Sequence, residues 1–247
     1  MTSITTQEYW DLSYEKLDLV YNPNNILFKD LFDKYLKPNG TCLEIGCYPG
    51  NYLVYLGSQF NYEVSGIDTT PFLSTRLPLH LTRNRVKIGK LYNENFLTFN
   101  PNEKYDVVCS FGFIEHFTNF EAIIEKHIQL TKPSGTLIIT CPNFRKIQYL
   151  LHKCLDSDNL KRHNLASMDT NRWTNVLQNN NMKILYHGYY RTSGFWTDSP
   201  NNGLIKNYIS IAVRYLFKHI DQRVNLPNPW VSPYIVLIAQ KLEEEKT

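Results

Sequence analysis

The sequence predicts an α/β protein built on a mostly parallel sheet with helices on both faces. Three observations carry this. Strand-like and helix-like patches alternate from residue 41 onward, the strands are near-continuous apolar runs, and a glycine-bearing turn joins the first strand to a helix.

The elements follow in order. Residues 7–20 carry Tyr9, Trp10, Leu12, Leu17 and Val20, and residues 26–36 carry Ile26, Leu27, Leu31, Phe32 and Tyr35, both at helical spacing around the break Asn22-Pro23-Asn24. Pro38-Asn39-Gly40 then punctuates the chain. Strands are expected at 41–45, 63–67, 85–91, 105–110, 135–141, 183–190 and 234–240, and helices at 52–60, 120–130 and 170–178. The pattern loosens over 144–164. A long excursion, 191–233, with a helix-like stretch at 204–220, precedes the last strand. It reads as an elaboration of one domain. The expected organisation is a single domain over 1–247: an N-terminal helical segment (1–40), a core (41–190), an insertion or lid (191–233) and the last strand (234–241).

Composition excludes several classes. In 247 residues, 43% hydrophobic and 20% charged side chains supply a core and rule out global disorder. A net charge of +3 is too small for a nucleic-acid footprint. No apolar run is long enough to span a bilayer. The first eight residues show neither a basic segment nor an apolar stretch. The five cysteines lack C-x-x-C spacing, and four lie in or beside strand-like runs, as buried free thiols do. A reduced, cytoplasmic protein is expected. Glycine is scarce, at eleven residues, so its placement carries information.

Two of those glycines, Gly46 and Gly50, flank the turn Gly46-Cys47-Tyr48-Pro49-Gly50 at the end of the first strand. Such a turn lets the backbone approach a ligand and leaves free N–H groups at the helix start. The glycines stand four apart, unlike the dinucleotide pattern G-x-G-x-x-G. Asp68 ends the second strand, where an acid can hold the two hydroxyls of an adenosine ribose or can cap the turn before Pro71.

Together with 105–117 (YDVVCSFGFIEHF) and 130–140 (LTKPSGTLIIT), these motifs resemble class I S-adenosylmethionine-dependent methyltransferases, in order and spacing. The nearest likeness is to the small-molecule branch that includes quinone-biosynthesis and surface-polysaccharide enzymes. The resemblance implies a Rossmann-like fold, a seven-stranded mostly parallel sheet with a helical insertion before the last strand. It also implies S-adenosylmethionine as cofactor, with S-adenosylhomocysteine as product. By residue, Gly46, Cys47 and Gly50 would wrap the methionine part, with Tyr48 in the same turn and Glu44 fixing it. Asp68 and Thr69 would bind the ribose, Asn95 and Phe96 the adenine, and Ser110 and Phe111 the amino group through backbone carbonyl. Two positions depart from the family: Tyr48 stands where the middle glycine is usual, and Asn95 where an acid is usual.

The resemblance implies a small-molecule acceptor, methylated on a hydroxyl or less readily an amine. A sugar or surface-polysaccharide precursor is the first expectation, and a quinone-like or lipid acceptor the alternative. His116 is the candidate general base and Glu115 a supporting acid; the pair can equally serve to orient its loop. Metal-binding relatives carry a further acid three residues before that glutamate; here Gly112 stands there, so no metal is expected. Tyr9, Trp10 and Tyr14 either pack on the sheet or form a lid over the sulfonium. His163 and Trp196 lie in segments suited to border the acceptor. The stretch 204–220 is open to three readings: lid, homodimer face or peripheral membrane contact. A non-catalytic module that keeps the fold is the reading from another class.

Overall fold

The computed structural model describes residues 2–198 and 203–243. Its seven strands are β1 (Gly40–Ile45), β2 (Tyr62–Ile67), β3 (Ile88–Tyr92), β4 (Tyr105–Phe111), β5 (Thr131–Pro142), β6 (Met182–Tyr190) and β7 (Tyr234–Lys241). They form one sheet in the order β3-β2-β1-β4-β5-β7-β6. β1 through β5 pair in parallel, and β7 runs antiparallel between β5 and β6. This is the Rossmann-like methyltransferase arrangement that the sequence implied.

The helices are α1 (Gln7–Glu15), α2 (Lys29–Tyr35), α3 (Asn51–Phe60), α4 (Phe72–Thr75), α5 (Leu77–Arg83), α6 (Phe120–Leu130), α7 (Lys146–Leu155), α8 (Ser157–Lys161), α9 (Thr170–Asn179) and α10 (Leu204–Asp221). Two apolar clusters account for the near-continuous strands. Leu43, Ile45, Val108, Leu137 and Ile139 pack toward α6 and α9, whereas Cys42, Val64, Val107, Cys109 and Ile138 pack toward α2, α3 and α5. Successive strand residues therefore alternate between two buried faces rather than between core and water. Cys42, Cys47, Cys109 and Cys141 are buried free thiols and Cys154 is exposed.

Several boundaries differ from the sequence expectation. α1 stops at Glu15, not Val20, and buries no residue, so apolar spacing alone does not extend it. α2 begins at Lys29 because Phe28 sits in the left-handed region (φ 64°), which breaks the run from Ile26. The loose stretch 144–164 holds α7 and α8. Their periodicity is masked because the inward face of α7 uses Gln148 and His152 while Ile147 and Leu150 face water. Between β2 and β3, α4 and α5 are obscured by Pro71 and Pro78; the latter is tolerated in the first turn of α5. β5 starts at Thr131 through an irregular register before Gly135.

The order reverses between β1 and β4, which opens a crevice beyond their carboxyl ends. Ile45 pairs with Ile67, so β1 and β2 end level and bring Gly46 beside Asp68. Register thus positions the site.

Candidate active site

Gly46 and Gly50 both take positive φ, at 69° and 90°. A Cβ on Gly46 would come within 2.6 Å of the Phe113 ring, so this glycine is needed for conformation and for space. The N–H groups of Gly46 and Cys47 donate to the Ile67 carbonyl at 2.9 and 3.2 Å. Tyr48, the departure from the family pattern, keeps a negative φ, so the turn forms without a third glycine. Its ring packs against Tyr14 (4.7 Å between centroids) and Phe72 (6.0 Å).

The Asp68 carboxylate accepts from Tyr48 N and Thr70 N, each at 3.1 Å, which combines the turn-capping role with a place on a cavity wall. Burial pushes its carboxyl up, and these N–H donors oppose that shift.

The cavity, about 530 Å³, runs beyond β1, β2 and β4. Gly46, Tyr48, Asp68, Thr69, Asn95, Phe96 and Phe111 all line it, as do Trp10 and Tyr14. Asn95 Oδ1 accepts from Leu97 N at 2.9 Å, which leaves its NH₂ group as the donor end. Glu44, Cys47, Gly50 and Ser110 stand behind the wall. The Leu53 N–H meets the Glu44 carboxylate, while burial holds that carboxyl well above its usual range. Ser110 is fully buried and its hydroxyl pairs with His127 Nε2 at 3.0 Å, so its side chain turns away from the crevice.

The N-terminal segment lies across the cavity mouth. Ile4 N donates to the His116 carbonyl at 2.7 Å, Trp10 Nε1 donates to Thr5 Oγ1 at 3.1 Å, and Thr69 Oγ1 donates to Gln7 Oε1. Tyr9 is half-buried off the cavity wall, under the Arg162 guanidinium at 4.5 Å. Ser3, Thr5 and Gln7 line the cavity and were missed. No local motif marks them, because their role depends on a bridge between Ser3 and Phe117.

A second cavity of about 280 Å³ adjoins the first and shares Phe111, Gly112 and His116 with it. Phe28, Tyr52, Pro142, Trp196 and Tyr234 give it aromatic and apolar walls, and Glu115, Thr140 and His163 add polar groups. Trp196 stacks on Tyr234 at 5.3 Å, and Tyr52 on Phe111 at 3.7 Å. Phe28, Tyr52 and Tyr234 went unread because they come from three distant elements. α10 lines neither cavity; among the described residues of the insertion, Trp196 is the one on a cavity wall.

His116 and Glu115 are both buried in the 3₁₀ turn after β4. A carbonyl can only accept, so the contact at 3.0 Å between His116 Nδ1 and Arg162 O makes Nδ1 the protonated nitrogen and leaves Nε2 free. Burial, then the neighbouring His163, lowers the imidazole to about 3. Burial raises Glu115 to about 8. Asn164 N donates to Glu115 O at 2.7 Å and Asn164 Nδ2 to Phe117 O at 2.9 Å, which fastens the loop after α8 to this turn. His163 is thereby brought to His116, with ring centroids 4.8 Å apart.

Comparison with known proteins gives this geometry its family. A methyltransferase-domain family matches residues 23–187. A ubiquinone biosynthesis O-methyltransferase of Rickettsia canadensis is 31% identical over 109 residues, covering 44% of this chain and 45% of that one. An uncharacterized Methanocaldococcus jannaschii protein is 23% identical over 72% of this chain and 68% of that one. The match thus spans under half the length of the Rickettsia relative. In fold, a putative methyltransferase from Bacillus halodurans superposes with a TM-score of 0.59 at 12% identity, over 88% of this chain and 99% of that one. A putative sarcosine dimethylglycine methyltransferase from Galdieria sulphuraria gives 0.57 at 13% identity, over 95% and 97%. With the strand order, the glycine turn and Asp68 all in register, the chain belongs to the class I S-adenosylmethionine-dependent methyltransferases.

Proposed function

We propose that the protein transfers a methyl group from S-adenosylmethionine to a hydroxyl oxygen of a small, ring-bearing acceptor. The observation that carries this is the meeting of two cavities at Phe111, Gly112 and His116, one suited to the cofactor and one to an acceptor.

The donor set of the larger cavity fits the cofactor. Asp68 offers a carboxylate to vicinal hydroxyls, Asn95 and Phe96 offer an amide and a ring to a base, and Trp10 and Tyr14 offer aromatic faces to a sulfonium. When bound, S-adenosylmethionine supplies an electrophilic methyl group for in-line displacement. The chain's own contribution is then position and exclusion of water. Tyr48 and Phe111 wall the junction, and the segment carrying Trp10 closes it on the solvent side. His116 Nε2, free because Nδ1–H is committed to Arg162, accepts the hydrogen of the acceptor hydroxyl and turns a lone pair toward the methyl group. Glu115 and His163 flank it.

The walls of the second cavity favour a planar, phenol-like or quinone-like acceptor over a sugar. Each hydroxyl of a sugar needs a partner when buried, and the polar side chains here are few and gathered at Glu115, His116, Thr140 and His163. Tyr52, Trp196 and Tyr234 offer ring faces instead.

Calorimetry with S-adenosylmethionine, followed by a labelled-methyl screen over phenols, sugars and amines, tests this reading. Asp68→Ala is expected to weaken cofactor binding roughly 100-fold, the worth of about two charge-assisted hydrogen bonds. Unchanged affinity removes the ribose role, and no binding by the wild type at high micromolar cofactor removes the enzyme reading. Label appearing on sugars but not on phenols reverses the choice of acceptor.

A further inference from the structure

Three potential ligand groups converge on the wall of the second cavity. One ligand atom each from Glu115, His116 and His163 lies within 4.8 Å of the other two, the only such cluster among the described residues. The two histidines are prepared in the same way. His116 Nδ1 donates to Arg162 O at 3.0 Å and His163 Nδ1 donates to Asn159 O at 2.7 Å, so both rings present Nε2 as an unprotonated lone pair. A second-shell carbonyl on the far nitrogen is how ligating imidazoles are commonly fixed in tautomer and orientation. Between them, Glu115 is 1% exposed, and its Oε2 has no hydrogen-bond partner. Its Oε1 lies 3.9 Å from His116 Nε2, too far for a hydrogen bond. Three Lewis-basic groups, two imidazole lone pairs and the Glu115 carboxyl, thus gather in one small space. A cation satisfies all three.

We propose that Glu115, His116 and His163 bind one divalent transition-metal cation. Ligands on a tetrahedral ion at about 2.0–2.1 Å stand about 3.3 Å apart. Two nitrogens and one oxygen suit Zn²⁺ or Fe²⁺ rather than Mg²⁺, which prefers an all-oxygen shell.

Gly112 was the ground for expecting no metal. The fold replaces the missing acid with a histidine from a different loop, held in place by the Asn164 bonds. Gly112 also makes room. It has a φ of 72°, and a Cβ there would lie 3.3 Å from Glu115 Oε1, so a larger residue would be strained and would crowd the carboxylate.

Three protein ligands leave the remaining coordination positions facing the cavity, the arrangement of catalytic rather than structural sites. The consequence for chemistry rests on the methyl-transfer reading: with the ion in place, the acceptor oxygen meets the metal instead of His116 Nε2. The ion binding itself rests on the side-chain cluster alone.

The test uses full-length protein stripped with chelator and dialysed. Zn²⁺ is titrated by calorimetry and Co²⁺ by visible absorption, beside a titration with S-adenosylmethionine. One equivalent of Zn²⁺ and a nitrogen-and-oxygen-ligated Co²⁺ band are expected. His163→Ala and Glu115→Gln should each weaken Zn²⁺ binding by about tenfold or more, as loss of a direct ligand should at least match loss of a second-shell partner. S-adenosylmethionine affinity of His163→Ala should remain unchanged, because His163 lines only the second cavity. Absence of Zn²⁺ heat and of a Co²⁺ band in the folded wild type overturns the proposal, as does unaltered Zn²⁺ affinity in His163→Ala. Should Glu115→Gln lose its circular-dichroism signal, the partly exposed His163 variant decides alone. A failed metal titration with intact cofactor binding leaves the methyltransferase reading standing.

Discussion

Asp106 shows how one side chain can tie three strands at the end of the sheet remote from the site. Its Oδ2 accepts from Thr41 N, Thr41 Oγ1 and Lys132 Nζ, each at 2.8 Å, linking the starts of β1, β4 and β5. Burial acts to raise its carboxyl, but Lys132 and the Thr41 donors outweigh that and hold it below the usual aspartate value. The stability it lends is therefore full above the unfolded value of about 3.9 and is lost as pH falls through the lower folded value. Asp106→Asn should cost about 1 kcal/mol at pH 7, the worth of its hydrogen bonds discounted for exposure. Melting curves of variant and wild type should draw together as pH falls below about 3.9; a constant offset across that range refutes the assignment. At the opposite end of the sheet, Asp68 caps its turn and also stands on a cavity wall, where the proposed ribose contact would be made.

At the scale of elements, α1 is held by a few polar ties and ring contacts rather than by a buried face. It buries none of its residues, and its attachments include the Ser3–Phe117 bridge, the Thr69–Gln7 bond, the Arg76 contact with Tyr14 O at 3.0 Å and the ring contacts of Tyr14 with Tyr48 and Trp10 with His116. An element secured in this way is among the first to open locally. Trp10→Ala should accordingly leave global stability within about 0.5 kcal/mol. It should weaken S-adenosylmethionine binding about fivefold, the worth of one exposed cation–π contact, and Trp10→Phe should recover most of that. A large loss of melting temperature with unaltered affinity would show that Trp10 packs rather than covers.

What was legible in the chain follows the range of the forces involved. Gly46, Asp68 and the strand runs declare themselves within a few residues, because φ requirements and alternation on a twice-buried sheet are local. Tyr48 could not be judged from sequence, since a turn that lacks the usual glycine works or fails on one backbone angle. His163 and Trp196 stand out in the sequence only as residues in segments suited to border the acceptor. Their convergence on His116 depends on Asn164 and on where the insertion returns to β7, which no local pattern encodes. Gln148 and His152 hid α7 for a related reason: buried polar side chains on its inward face look, in one dimension, like a solvent face.

The junction at Phe111, Gly112 and His116 also bears on the order of events in turnover. Apart from those three residues the two cavities have separate walls, one beneath the N-terminal segment and one beside Trp196 and Tyr234. On the proposed assignment of the two chambers, neither compound has to pass through the other's chamber to reach its own. Initial-velocity measurements should therefore show random addition, with S-adenosylhomocysteine competitive against S-adenosylmethionine and noncompetitive against the acceptor. A strictly ordered pattern would mean that the second chamber forms only after the first has filled.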